Sequence, residues 1–249
     1  MKIRGALDAY DRETKSYAVA YLDILGATNR IKKGKVSADE SLNLLHNLYT
    51  MIMELADAEK GIRKYSDIRF KIFSDNIILA KELSADPSKN EDEVRVLLNC
   101  VSNFLCDSVG DSVGWLVRGG ITIGDFYIDD TIVWGPALVR AYELEDKIAI
   151  YPRVILDAPV VEMLRRNKNE SNFLCQDSDG MFYLNYMSIW SFSGEFVQRA
   201  FEKMKMDAID SSGAFPDKIF QKLWWHKCYI NQELEKKNES KDKNHRLEI

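Results

Sequence analysis

The chain is poor in the residues that build metal clusters and disulfide frameworks. Its four cysteines (Cys100, Cys106, Cys175, Cys228) form no C-x-x-C pair, and its three histidines (His46, His226, His245) show no ligand spacing with them. That pattern argues against a zinc site. No apolar run is long enough to span a bilayer, and no signal-peptide pattern opens the sequence. The expectation is a cytoplasmic protein with reduced thiols and no direct membrane contact, in which the sequons at Asn169 and Asn238 go unused. Basic charge is not in excess either: 34 Lys and Arg face 39 Asp and Glu, a formal net charge of −5. With no basic stripe carrying interleaved aromatics, a nucleic-acid surface is not expected. A small anionic substrate needs only a local basic cluster, so the acidic total does not exclude one. There is no internal repeat.

What is present is a globular composition, 46% hydrophobic and 29% charged over 249 residues. That is enough chain for a sizeable core. A β-prone run from Tyr17 to Leu25 ends at Gly26. Ser37-Ala-Asp-Glu40 then reads as a capping box, followed by Leu42, Leu45, Leu48, Ile52 and Leu55 at helical spacing. Two strands, Ile68–Phe73 and Ile77–Leu79, flank the turn Ser74-Asp75-Asn76. A second amphipathic helix runs from Glu91 to Val109. Trp115–Gly124 and Thr131–Trp134 read as strands around an arm whose tip is Asp129-Asp130. Gly135-Pro136 opens a helix to Glu145, since proline suits a first helical turn. Ile148–Leu156 reads as a strand containing Tyr151-Pro152-Arg153, and proline there suits a strand start or an edge. The order β-α-β-β-α-β predicts an α+β fold of ferredoxin-like plan: a mainly antiparallel sheet with helices on one face. This core is expected over 1–157. An extension over 158–235 follows, with helices near 160–167, 195–210 and 216–235 and a hairpin at Asp179-Gly180. A flexible tail is expected over 236–249.

The chemistry is carried first by Asp23 and Asp75. Each is a lone carboxylate in an apolar, strand-like run, where an unpaired charge is costly. Each alone can be a strand-closing residue with a local hydrogen bond. Together on adjacent strands they can hold Mg²⁺ or Mn²⁺ against a triphosphate. Lys71 lies four residues before Asp75 on the same strand face. Its amine can donate to a base, or it is an exposed strand lysine. Arg30, Lys32, Lys33 and Lys35 form a basic turn that is either a phosphate cradle or a solvated loop.

Four segments in this order, Asp23-Ile-Leu-Gly26, Lys71-Ile-Phe-Ser-Asp75, Arg118-Gly-Gly-Ile-Thr-Ile-Gly124 and Gly135-Pro-Ala-Leu-Val-Arg-Ala-Tyr-Glu-Leu-Glu145, resemble class III nucleotidyl cyclases. With Tyr151-Pro-Arg153 downstream, the set is most similar to the Pycsar-type pyrimidine cyclases of bacterial antiphage defence, over residues 15–157. The resemblance implies a homodimer with nucleotide sites at the subunit interface and two divalent ions, Mn²⁺ or Mg²⁺, per site. It implies Asp23, Asp75 and the Ile24 carbonyl as metal ligands, Gly26-Ala27-Thr28 as a backbone cradle for phosphates, and Lys71 as a base-reading position. It implies a product read by a separate effector with a cyclic-nucleotide-binding module.

The sequence also departs from that family. Its members carry Asn, and Arg four residues later, on the helix after the arm; alignment on Gly135 puts Val139 and Glu143 there. The usual base-reading position before that glycine falls on Ile132. Arg140 is the candidate replacement for the missing arginine, the alternative being a surface residue. Arg118 is expected to make a structural ion pair. Trp224, Trp225, Tyr229 and Ile230 are expected in core or dimer packing. The leading expectation is a pyrimidine cyclase, UTP before CTP. An adenylate or guanylate cyclase and a catalytically inactive nucleotide- or protein-binding domain are the alternatives.

Overall fold

A computed structural model describes residues 12–26, 67–109, 115–166, 172–189 and 217–238, with single positions within 37–50 and 198–205. The strands are β1 (Lys15–Ile24), β2 (Ile68–Phe73), β3 (Asn76–Glu82), β4 (Val117–Ile128), β5 (Val133–Trp134), β6 (Val154–Leu156), β7 (Leu174–Gln176) and β8 (Phe182–Leu184). The helices are α1 (Asn90–Val109), α2 (Pro136–Lys147), α3 (Ala158–Arg166) and α4 (Asp217–Asn238). One sheet runs β2-β3-β1-β4-β6-β8-β7, with β5 paired to β4 alone. Its first four strands are antiparallel in the ferredoxin-like order. β6 joins β4 in parallel, and β8 and β7 extend the sheet beyond residue 157.

Alternation along β1 explains the layering, because successive strand side chains point to opposite faces. Ala18, Ala20, Leu22 and Ile24 share one core with Val94, Leu97, Leu98, Val101 and Leu105 of α1. Tyr17, Val19 and Tyr21 share the other with Ala137 and Ala141 of α2. The sheet is therefore covered on both faces, not one as expected: α2 crosses to the side opposite α1. Gly120 permits that crossing. A Cβ there would meet Leu144 Cβ at 2.4 Å and the Ala141 carbonyl at 2.5 Å. Both Asp23 on β1 and Arg118 on β4 lie on the α2 side by the same alternation.

Other differences have local causes. The expected strand over 148–156 shrinks to Val154–Leu156. Pro152 has no N–H to give, and Ile150 and Arg153 spend theirs on the nearby Ile148 and Tyr151 carbonyls. β4 is longer than expected and runs to Ile128, because β5 pairs with its end at Tyr127 and Ile128. The 181–186 run yields only Phe182–Leu184 before a 3₁₀ turn at Tyr186–Ile189. α4 continues through Lys236 and Lys237 to Asn238, where a frayed tail was expected; residues 239–249 lie outside the described set. The capping box is present. The Ser37 N–H donates to Glu40 Oε2 at 2.8 Å and the Glu40 N–H to Ser37 Oγ at 3.0 Å. Described positions from Asp39 to Thr50 are helical, while Leu45, Leu48, Ile52 and Leu55 lie outside the described residues.

Candidate active site

β1 and the β2–β3 hairpin end together. Asp23 pairs in register with Asn76, and the Ile24 N–H donates to the Asp75 carbonyl at 2.9 Å. The two aspartates thus sit on adjoining backbone at one edge of the sheet. The hairpin turns on two residues, and Ser74 takes φ 56°, the left-handed region that a side chain disfavours. That local strain lies beside Asp75.

Each carboxylate is oriented by a short relay. Arg118 lies directly across from Asp23 in register and donates Nε–H to Asp23 Oδ2 at 3.0 Å. Its Nη2 lies 2.6 Å from Glu145 Oε1. Glu145 comes from the far end of α2 and is only 3% exposed. Burial lifts its carboxyl to about 7, against the pull of Arg118 and with a further push from Asp23. On the other side, the Tyr21 hydroxyl donates to Asn76 Oδ1 at 2.6 Å, and Asn76 Nδ2 donates to Asp75 Oδ1 at 3.3 Å. Burial raises the Tyr21 phenol to about 12, and the charges of Glu145, Asp23 and Asp75 add to that, so it stays a donor.

Beside the aspartates runs an open groove of about 620 Å³. Lys71, Phe73, Leu138, Val139 and Tyr142 line it together with Tyr21. The Lys71 amine donates to the Asp130 carbonyl of the arm tip at 2.8 Å. Asp129 closes that tip, its Oδ1 accepting from the Thr131 and Ile132 N–H groups at 2.7 and 2.6 Å. Arg140 sits elsewhere on α2. It grips Asp157 with Nε at 3.0 Å and Nη2 at 2.6 Å, and Thr122 donates to the same carboxylate. Glu143 is paired with Lys147 at 2.7 Å.

Of the residues named from sequence, Asp23, Ile24 and Asp75 come together at the strand ends, Gly26 follows two residues after β1, and Lys71 lines the groove without reaching the aspartates. Arg140 is not in contact with them. Ala27, Thr28 and the basic turn lie outside the described residues. Arg118 makes the ion pair expected of it, but with Asp23 itself. Sequence reasoning missed Tyr21, Asn76 and the role of Glu145. Two of these were within reach: Tyr21 shares a strand face with Asp23, and Asn76 follows from pairing β1 with β3. The Glu145 contact needed the crossing of α2.

The donor set suits a hard divalent cation. It consists of carboxylate and carbonyl oxygens, and Asp23 Oδ1 accepts no hydrogen bond from any described residue. Among the described residues no group of three His, Cys, Asp or Glu side chains gathers in metal-binding range. Two carboxylates would leave positions for substrate oxygens.

No protein-family model matches the chain, and no curated protein does. Solved structures do. A dimeric guanylyl cyclase domain from the RhoGC fusion protein of the aquatic fungus Blastocladiella emersonii is 12% identical, with a TM-score of 0.51, over 70% of this chain and 98% of that one. The chain has the class III cyclase fold. The adenylyl cyclase CyaB of P. aeruginosa (15% identical, TM-score 0.48, 70% of this chain and 95% of that one) is also similar. So is the guanylate cyclase domain of RhGC from Catenaria anguillulae, solved with GTP (14%, TM-score 0.44, 69% and 95%).

Proposed function

We propose that this protein is a metal-dependent nucleotidyl cyclase that converts a pyrimidine nucleoside triphosphate, UTP before CTP, to its 3′,5′-cyclic monophosphate and pyrophosphate. The observation that carries the reading is the meeting of Asp23 and Asp75 at adjoining strand ends within a cyclase fold, each carboxylate oriented by its own relay. The choice of base, and a role as a second-messenger synthase in antiphage defence acting through a cyclic-nucleotide-binding effector, rest on the sequence resemblance alone. A homodimer suits the exposed Phe73, Val139 and Tyr142 along the groove.

Asp23, Asp75 and the Ile24 carbonyl would hold Mn²⁺ or Mg²⁺. Such ions supply charge that acidifies the ribose 3′-hydroxyl and neutralises the phosphates. The side chains of the chain do the positioning. Arg118 fixes one oxygen of Asp23 and leaves the other without a donor among the described residues. Glu145 holds Arg118 back, so that the guanidinium does not fold over both oxygens. Asn76, held by Tyr21, sets the plane of the Asp75 carboxylate. Lys71, anchored to the arm tip, aims a donor into the groove where a base would lie.

A second reading, a nucleotide-binding domain without turnover, is favoured by one observation: Arg140 is spent on Asp157, and Glu143 occupies the position of the family pattern's arginine. One experiment separates the two. Purified protein is incubated with Mn²⁺ and UTP, CTP, ATP or GTP, and products are identified by mass spectrometry. The expected result is one cyclic pyrimidine monophosphate, lost by at least about a hundredfold in Asp23→Asn and in Asp75→Asn. A cyclic purine product overturns the base assignment. Full activity in Asp75→Asn overturns the mechanism. Metal-dependent nucleotide binding with no product from any of the four supports the second reading.

A further inference from the structure

Arg118 stands between two carboxyl groups and is set squarely on neither. Its Nε–H donates to Asp23 Oδ2 at 3.0 Å, and its Nη2 lies 2.6 Å from Glu145 Oε1. The second contact is close but off-axis, so Glu145 Oε1 is buried without an aligned hydrogen bond. Arg118 is the only described residue whose side chain pairs with Glu145, and Arg118 Nη1 has no acceptor among the described residues. A guanidinium can instead grip one carboxylate with two parallel N–H groups, which is the stronger arrangement. A buried oxygen left orphaned beside a donor is costly and asks for a reason.

The three groups differ in freedom. The backbones of Asp23 and Arg118 are locked in register across β1 and β4. The Glu145 side chain is 4% exposed, held between α2 and the sheet, whereas that of Arg118 is 23% exposed. A rearrangement of the cluster is therefore a swing of the Arg118 side chain. Asp23 is also the carboxylate that would hold a divalent ion. A guanidinium and such an ion on one carboxylate repel each other. Glu145, with an oxygen to spare, is the anion to which Arg118 can turn.

We propose that Arg118 is a hand-off cation: it pairs with Asp23 while that carboxylate carries no divalent ion, and swings onto both oxygens of Glu145 when Asp23 takes one. The inference rests on the metal-dependent cyclase reading above and deepens it, because Arg118 and Glu145 then regulate how readily the site loads. Only the fraction of molecules with Arg118 turned away is ready for the ion, so apparent affinity falls as Arg118 is held more firmly on Asp23. The swing also leaves the buried acid paired instead of orphaned, which ties loading of the site to the contact between α2 and the sheet.

The test is binding of Mg²⁺ alone to the full-length protein, so that no turnover is needed. It is done at about pH 8, above the value of about 7 to which burial raises Glu145, so that this carboxyl is mostly ionised. Affinity is read by calorimetry. Arg118 is followed by the proton–nitrogen NMR signal of its Nε–H, assigned as the one missing from Arg118→Lys. Wild type, Glu145→Gln, Asp23→Asn and Asp75→Asn are compared. In wild type the signal should move as Mg²⁺ saturates, its hydrogen bond to Asp23 being lost. Glu145→Gln offers Arg118 no anion to turn to, so affinity should be roughly tenfold weaker and the signal should move by less than about a third as far. A wild-type signal unmoved at saturation overturns the inference without recourse to any variant. Equal affinity in wild type and Glu145→Gln overturns it, and so does a displacement of equal size, because the ion then acts on Arg118 through space alone. These results leave the cyclase reading standing when Asp23→Asn and Asp75→Asn bind more weakly than wild type. Mg²⁺ held as well by both of those variants as by wild type, or not held by wild type at all, removes the metal reading and this inference with it.

Discussion

At the residue scale the site is governed by one buried acid. Glu145 lies on the inner face of α2, and burial outweighs the adjacent guanidinium in setting its pKa, raised from 4.5 to about 7. In the unfolded chain the same carboxyl ionises near its ordinary value. The folded state therefore holds this proton more tightly than the unfolded state. The stability it contributes is complete below pH 4.5 and is lost as pH rises through about 7. Glu145→Gln cannot ionise and so has no such slope. Between about pH 5 and pH 8 the wild type should lose up to ~3 kcal/mol relative to that variant, measured by urea unfolding at each pH. A difference that does not vary with pH would show that Arg118 keeps Glu145 ionised throughout.

At the scale of elements, the question is how the extension is tied to the core. Arg153 is the tie. Its side chain is 1% exposed and salt-bridges Asp177 and Asp179 in the β7–β8 turn. Its guanidinium also lies 5.6 Å from the Tyr151 ring and 6.0 Å from that of Trp225. One buried cation thus holds the β6 approach, the hairpin and α4. Arg153→Met removes that cation and leaves Asp177 facing an apolar neighbourhood. It should cost about 3–5 kcal/mol of stability, read as a lower urea midpoint. The double variant Arg153→Met/Asp177→Leu should recover part of that, because an apolar replacement of a buried pair is far cheaper than half a pair. This tie also shows where legibility from sequence ended. The Asp179-Gly180 turn and the α4 helix were readable from local pattern, as were β1 to β4 and α1, whose alternation and capping act over a few residues. The aspartate pair was readable because the ferredoxin-like strand order sets β1 beside the hairpin strand β3. Tyr151-Pro-Arg153 stood out as a segment but its partner could not be read. A contact between residues far apart in the chain leaves no period in either segment. The same holds for Glu145 with Arg118 and for the shift of α2 to the opposite face, which depends on a missing Cβ at Gly120.

At the scale of the whole molecule, the arginine beside the aspartates is Arg118, which is spent on Asp23 and Glu145, while Arg140 is held on Asp157. The groove next to the aspartates is lined by large apolar side chains left in the open: Phe73 is 54% exposed, Val139 59% and Tyr142 45%. Under the proposed function such a surface suits a second copy, and if a two-fold dimer forms, each α2 would lie against the partner's groove. Val139→Asp places a charge in that surface without touching the core. It should give a monomer by sedimentation, with unchanged thermal midpoint and little activity. The sharper test concerns Arg140. If Arg140 serves the partner's aspartates, Asp23→Asn and Arg140→Ala are each inactive as homodimers, yet a mixture is not. Unfolded together and refolded in equal amounts, half of the dimers carry one variant of each kind, and each of these has one intact site. The mixture should recover about a quarter of wild-type activity. If Arg140 instead acts within its own protomer, or only fixes Asp157, every site in the mixed dimer keeps a defect or none depends on Arg140. Recovery near zero would place the arginine in the same protomer as Asp23, and an active Arg140→Ala homodimer would leave Arg140 as the clamp on Asp157 and nothing more.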